Sequence, residues 1–290
     1  MYWIFTFCGI SAVAAVLGIS IYMVLAGIPA IQKIGLIKFL FGISWNPASS
    51  QPSFGIFPMI LSSVVGTLFS VFLAVPIGVL TAVFLSELSP KWIYRSVRPA
   101  IELMSGIPSV IYGLLGAILL TPLVRRLENF FFQASVSHTF TGGANLLSAV
   151  IVLAVMILPT VIHISEISIQ AVPGELREAS LALGATKMET IFKVVLPAAR
   201  PGILSGAVLG IGRAVGEAMA VMMVSGNTVN LPLPFHSVRF LTTGIVTEMG
   251  YSSGLHRQAL FSIGLVLFVF ILFLNLFLES TLKRGGSSNV

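Results

Sequence analysis

Six long apolar segments constrain the fold of this chain more than any other feature of its sequence. A bilayer core of roughly 30 Å is crossed by about 20 apolar residues in a helix, and each of the segments reaches that length. We predict spans at roughly 4–27, 57–85, 101–124, 146–169, 202–224 and 259–279. The sequence therefore predicts an all-α integral membrane protein with six transmembrane helices.

The composition excludes several other classes of protein. Of the 290 residues, 56% are hydrophobic and only 9% are charged, whereas soluble domains carry about 25% charged residues. A soluble enzyme and a disordered chain are both excluded on this ground. The net charge of +6 is scattered between apolar runs, so it forms no stripe for nucleic acid. The single cysteine, Cys8, excludes a disulfide scaffold and a cysteine-based metal site.

Basic residues in the loops give the predicted orientation. The first apolar segment lacks a basic start and is too long for a signal peptide, so we expect a retained helix. With both termini in the cytoplasm, nine basic loop residues lie inside and six lie outside, a bias that favours this topology in the cell's inner membrane. We divide the chain into an N-terminal helix and outer loop (1–56), a core of five helices (57–280) and a short tail (281–290).

No catalytic motif is present in the sequence. The phosphate-loop motif GxxxxGK[ST], the zinc motif HExxH and the nucleophile motif GxSxG are all missing. His163 and Glu166 lie three residues apart on one predicted helix face, but two ligands are too few for a metal site, and an interhelical contact is favoured. We therefore expect a chain that is not an enzyme and binds no cofactor or metal.

The fifth predicted helix carries the strongest candidate for a functional site. Arg213 and Glu217 are four residues apart, so on a continuous helix they share one face and can pair. Placing a charged side chain at membrane depth costs several kcal/mol, so such residues are found where they face the protein interior or an aqueous path. One interpretation is a self-neutralising ion pair that sets helix packing. The other is a substrate path, in which the guanidinium fork binds a tetrahedral oxyanion.

Small residues on the same helix predict close packing. Gly206 and Gly210 form one repeat at a spacing of four, and Gly212, Gly216 and Ala220 form another. Membrane-embedded helices associate through such small residues, which allow the backbones to approach.

The loop at about 170–201 differs from the others because charged residues alternate there with regularly spaced apolar ones. This pattern indicates short amphipathic helices outside the membrane that are suited to docking a partner. A solvated connector is the alternative interpretation.

This loop resembles the EAA motif of ABC importer permeases, which forms a cytoplasmic coupling helix on the ATPase subunit. The matching residues are Glu178, Ala179, Ser180, Gly184, Leu196 and Pro197, with Ser180 in place of the usual second alanine. Gly184 permits a turn between two helical pieces, and we expect Pro197 to stop the second piece before the chain re-enters the membrane.

Three further stretches, 54–60, 101–113 and 210–227, are similar to the phosphate-specific ABC importer permeases of the PstC type. This resemblance implies the type I importer permease fold and a role for Arg213 and Glu217 in transport. It also implies four kinds of partner: the bilayer, a PstA-like permease, two ATPase subunits that use the ATP, and an extracytoplasmic phosphate-binding protein.

Other functions remain open at this point. The same coupling loop would serve an importer of molybdate, sulfate or a phosphonate. A secondary transporter or channel that works without ATP, and a structural or signalling membrane subunit, are the remaining candidates.

Overall fold

A computed structural model describes residues 1–133 and 138–286 of the chain. The described part is almost entirely helical, with one hairpin of two-residue strands. The α-helices are α1 (Tyr2–Ile34), α2 (Leu36–Phe41), α3 (Phe57–Val83), α4 (Lys91–Gly106), α5 (Ser109–Leu115), α6 (Thr121–Phe132), α7 (Leu146–Gln170), α8 (Gly174–Ala182), α9 (Lys187–Thr190), α10 (Leu196–Gly216), α11 (Met219–Val224), α12 (Leu241–Glu248) and α13 (Gly254–Gly286). Strands β1 (Trp45–Asn46) and β2 (Ser53–Phe54) pair antiparallel. π-Helical turns occupy Phe84–Leu88, Gly116–Leu120 and Ile191–Val195.

Six helical runs in the described residues are long and apolar enough to cross a membrane, which confirms the predicted number. They are Tyr2–Ile34, Phe57–Leu88, Ser109–Phe132, Leu146–Gln170, Lys187–Gly216 and Gly254–Leu276. The last helix continues to Gly286, so the predicted tail of 281–290 is helical up to that residue, and 287–290 lie outside the described part.

The third span begins later than the sequence predicted. We expected 101–124, whereas α4 ends at Gly106 and the membrane-length run starts at Ser109. Pro108 explains the difference, because a proline disfavours helical backbone at the residue before it. Ile107 accordingly has an extended backbone, with ψ of 128°. Helix α4 is amphipathic, and none of its residues is buried within this chain.

The fifth span differs from the prediction at both ends. The expectation that Pro197 stops a helix is wrong, because Lys187–Gly216 is one continuous run of 30 residues. Pro197 lies at the start of α10, directly after the π-helical turn. The π-helical turn shifts the hydrogen-bond register by one residue just before Pro197, so the run continues past a residue that has no N–H. The far end of the predicted span is broken at Glu217 and Ala218.

Helix α7 lies at the centre of the fold and contacts α3, α4, α5, α10 and α11. Its buried side chains include Leu153, Met156 and Ile157, which form the middle of the main apolar core. Helix α1 packs along α13, where the Ser262 hydroxyl donates to the Gly27 carbonyl over 2.7 Å. The fold therefore places the fifth span, α10, directly against a rigid central helix.

The loops form two opposite sides of the protein, because successive spans alternate in direction. One side, here called the Gly184 side, comprises the segments 84–108 and 170–196. The other, called the hairpin side, comprises the segments 35–56, 125–145 and 225–254. Hydrogen bonds join segments within each side, as between Arg177 and Glu87 and between Trp45 and Glu248.

Candidate transport path and coupling site

The fifth span is interrupted where the sequence predicted its functional residues. Helix α10 ends at Gly216, and Glu217 takes an extended backbone with φ −74° and ψ 128°. Its carboxylate Oε1 accepts a hydrogen bond from the Ala220 N–H over 2.9 Å, at the start of α11. Its carbonyl accepts from the Thr242 hydroxyl over 2.8 Å. Glu217 therefore supports a break in the span rather than the face of a continuous helix.

Arg213 lies half-buried in the last turn of α10, where a cation is favoured by the helix dipole. Its Nη1 donates to the Thr160 hydroxyl of α7 over 3.3 Å. The predicted pairing with Glu217 is wrong, because the helix ends between the two residues. In the described part of the chain, no carboxylate oxygen lies within 4.0 Å of this guanidinium. The interpretation of a self-neutralising ion pair therefore fails, and most of the donor fork is free for another acceptor.

A small, mainly apolar cavity adjoins Thr160 on the Gly184 side of Arg213. It has a volume of about 170 Å³, and its polar lining comprises Glu102, Ser105, Thr160 and His163. Glu102 is paired with Arg98 one turn away on α4, over 3.0 Å. The hydroxyl that holds Arg213 therefore belongs to a residue that also lines this cavity, together with Ser105 and His163.

For His163 and Glu166 we predicted contacts with a neighbouring helix, and the structure confirms such a contact only for Glu166. Buried Glu166 accepts from the Tyr94 hydroxyl of α4 over 2.9 Å and from Gln170 over 3.0 Å. His163 is exposed and faces the cavity instead.

The two small-residue repeats of α10 have different surroundings. A side chain added at Gly206 or Gly210 would meet α7 at 3.2–3.3 Å, so this repeat packs against α7 as predicted. At Gly212 and Gly216 the space within 4 Å is empty of described atoms. Gly212 and Gly216, which flank Arg213, therefore form an open surface within the described chain, whereas Ala220, the third member of this repeat, is buried against Gly113 of α5.

The predicted coupling loop folds as the short helix α8 and the start of the long run Lys187–Gly216, joined at a glycine. Helix α8 exposes Glu178 and Ala179, and Gly184 has a positive φ of 86°, which confirms the predicted turn. The Ser180 hydroxyl lies 2.9 Å from that of Thr190 and joins the two pieces. Leu183 at the tip is 90% exposed.

A capping box fixes the start of α9. The Thr186 hydroxyl accepts from the Glu189 N–H, and the Glu189 carboxylate accepts from the Thr186 N–H over 3.0 Å. The Thr186 N–H, followed by the Lys193 ammonium, lowers the pKa of Glu189 to about 2. The carboxylate is therefore ionised at every physiological pH, and the turn stays capped.

Sequence reasoning missed Arg177, which fastens α8 to the membrane helices. Its guanidinium donates to Glu87 Oε1 over 2.9 and 3.1 Å, and to the carbonyls of Ile169 and Val172. These groups lie at the ends of the second span and of α7. No sequence signal pairs Arg177 with Glu87, because the two residues are 90 positions apart.

Comparison with known proteins places this geometry in a family. The profile of the family described as "Binding-protein-dependent transport system inner membrane component" matches residues 74–284. Two solved structures share the fold. One is a bacterial ABC transporter involved in the import of the acidic polysaccharide alginate, with 17% identity, coverage of 97% of this chain and 98% of that chain, and a TM-score of 0.60. The other is the inward-facing MetNI methionine ABC transporter, with 21% identity, coverage of 77% of this chain and 93% of that chain, and a TM-score of 0.58. The fold class is thus that of a type I ABC importer permease, as predicted.

The chain belongs to this family of inner membrane components of binding-protein-dependent transport systems. It is 41% identical, over 92% of its length and 84% of the relative's, to the probable ABC transporter permease protein YqgH of Bacillus subtilis. It is 37% identical, over 80% of its length and 75% of the relative's, to the phosphate transport system permease protein PstC of Pasteurella multocida. The PstC protein of Haemophilus influenzae is 34% identical over 87% of this chain and 82% of its own. The expected resemblance to PstC permeases is confirmed.

Proposed function

We propose that this chain is the PstC-type permease subunit of an ATP-driven importer of inorganic phosphate. Its similarity to permeases named for phosphate transport supports the substrate class. The observation that carries the proposal is the half-buried Arg213 guanidinium, which is held by one hydroxyl and has no carboxylate of the described residues within 4.0 Å. A guanidinium fork suits the geometry of a tetrahedral oxyanion.

Arg213 and Glu217 serve the path in different ways under this proposal. Arg213 binds the passing anion, while Thr160 holds the guanidinium in place. Glu217 contributes a negative charge beyond the helix end, which moderates the attraction so that the anion can leave. The cavity at Ser105 and His163 offers polar groups on the Gly184 side of this point.

ATP hydrolysis by the partner subunit moves the path through the fifth span. The ATPase docks on Glu178, Ala179 and the exposed tip formed by Leu183 and Gly184. The continuous helix from Lys187 to Gly216 extends for about 45 Å. It includes Leu196 and Pro197 near its start and Arg213 near its end, so a shift at the docking end is transmitted along one rigid element.

The partners follow from the same assignment. The open face at Gly212 and Gly216 suits close approach of a second, PstA-like permease. Two ATPase subunits bind from the Gly184 side, which is cytoplasmic together with both termini. An extracytoplasmic phosphate-binding protein delivers the anion to the hairpin side. This chain binds no cofactor, and ATP is used by the partner.

Reconstitution of the four kinds of subunit into liposomes tests the proposal. We expect ATP-dependent uptake of labelled phosphate that excess sulfate, molybdate or a phosphonate leaves unchanged. Uptake inhibited by one of those anions would assign the permease to that substrate instead. Uptake that persists without the ATPase subunits would identify a secondary transporter or channel.

A further inference from the structure

A buried carboxylate joins three separate elements on the hairpin side. Glu248, at the end of α12, is 6% exposed. It accepts from Trp45 Nε1 of the hairpin over 2.9 Å, from Arg239 Nη1, and from His256 Nε2 of α13 over 2.8 Å. We call Glu248 with these three donors the Glu248 cluster. Its position and satisfied hydrogen bonds make it a junction of the outer loops.

This junction is connected to the proposed anion path at two points. Arg239 Nε donates to the carbonyl of Asn227, and the Asn227 amide donates to the Met222 carbonyl at the end of α11. The other end of α12 is fixed by Thr242, whose hydroxyl donates to the Glu217 carbonyl. A displacement of α12 therefore reaches the break in the fifth span directly.

An open recess of about 760 Å³ lies over the Glu248 cluster. Its lining includes Asn227, Tyr251 and the cluster's own Arg239 and His256. Arg239 and His256 are only 17% and 16% exposed, so a group that reaches them must enter the recess.

The exposed charge of the hairpin side has one sign. Both acids of this side, Glu128 and Glu248, are buried and hydrogen-bonded. Three exposed cations, Lys38, Arg125 and Arg126, lie on the same side, and two more, Lys33 and Arg257, lie in the adjoining turns of α1 and α13. Such a surface attracts a partner whose docking face is acidic.

From this geometry we infer that the recess receives a carboxylate side chain of the docked extracytoplasmic binding protein. The incoming carboxylate competes with Glu248 for Arg239 and His256. Docking then loosens α12 and, through Thr242, moves Glu217. The inference rests on the proposed function and adds to it a specific docking point and its link to the path.

The test uses the assembled complex in nanodiscs and the phosphate-loaded binding protein of the same system as the probe. Arg239→Gln removes a cation from the recess, so we expect docking to weaken roughly tenfold, the value of one charge-assisted hydrogen bond. Glu248→Gln removes the competing carboxylate, so we expect tighter docking and faster ATP hydrolysis without the binding protein. Glu128→Gln is the matched control, a buried, hydrogen-bonded glutamate of the same side outside the recess, and should leave docking unchanged.

Effects of opposite sign at Arg239 and Glu248 would support the inference, because a loss of structure would weaken docking in both variants. If the Glu248→Gln complex does not assemble, Arg239→Lys provides the test. This variant keeps the positive charge, so its complex should bind the binding protein more tightly than the Arg239→Gln complex does. Wild-type docking by both Arg239 variants would overturn the inference. If free phosphate competes with the binding protein for the recess, the inference is also wrong, and the recess is instead a site for free anions. Absence of docking by the wild-type complex would instead contradict the proposed function.

Discussion

At the scale of single residues, the account depends on Arg213 and on what holds it. The sequence placed Arg213 in the fifth span, as the structure does, but it assigned the wrong partner. Helical spacing favoured Glu217, whereas the structure gives Thr160 of α7. The spacing rule applies only within an unbroken helix, and the break at Glu217 depends on Thr242 and α11, which are distant or downstream in the sequence.

Thr160→Val tests whether the hydroxyl positions Arg213. Valine keeps the shape of threonine but cannot accept the hydrogen bond, which is worth about 1 kcal/mol. We expect the apparent affinity for phosphate in uptake to fall roughly fivefold, with the amount of complex in the membrane unchanged. Thr160→Ser keeps the hydroxyl and should transport like the wild type. Equal uptake by the valine variant would show that Thr160 does not position Arg213.

At the scale of elements, the coupling region was partly predictable from sequence. The turn at Gly184 was recognised because a positive φ selects glycine. The stop at Pro197 was predicted wrongly, because the π-helical turn before it allows the helix to continue. The hydrogen bonds of Arg177, here called the Arg177 clamp, could not be predicted from sequence, since they join segments that are brought together only by the packing of α3 against α7.

Gly184→Val should uncouple ATP hydrolysis from uptake. A β-branched residue at φ 86° is strained by about 1–3 kcal/mol, which displaces the docking tip. We expect fewer phosphate ions moved per ATP hydrolysed in proteoliposomes. Gly174→Ala is the matched control, because Gly174 is in the same helix–turn unit, has open space around it and no positive φ. An unchanged ratio in Gly184→Val would refute the role assigned to this turn.

Arg177→Ala should also lower the ratio of phosphate moved to ATP hydrolysed, by freeing α8 from the ends of the second span and α7. Arg177→Lys keeps the positive charge next to Glu87 but loses the contacts to both carbonyls. We therefore expect its ratio of phosphate moved to ATP hydrolysed to lie between those of the wild type and the alanine variant. The ratio is the informative readout, because poor assembly would reduce uptake and hydrolysis together. A normal ratio in the alanine variant, with normal assembly, would exclude the clamp from coupling.

At the scale of the whole molecule, six spans alternate in direction, so that the Gly184 side and the hairpin side lie at opposite ends of the fold. The number of spans could be predicted, because about 20 apolar residues are needed for each crossing. The two sides of the protein could not be assembled from sequence, because the Glu248 cluster draws on residues as far apart as Trp45 and His256. Under the proposed function, the fifth span connects the surface for the ATPase to Arg213 within a single helical run.

Uptake of labelled phosphate at limiting concentration tests the central claim most directly. Cells that lack this gene would carry the wild type, Arg213→Gln or Arg200→Gln, the last being an exposed arginine of the same helix. We predict full uptake with the wild type and Arg200→Gln, and a loss of roughly tenfold or more with Arg213→Gln, at equal amounts of assembled complex. Full uptake with Arg213→Gln would contradict the claim that phosphate passes along this arginine.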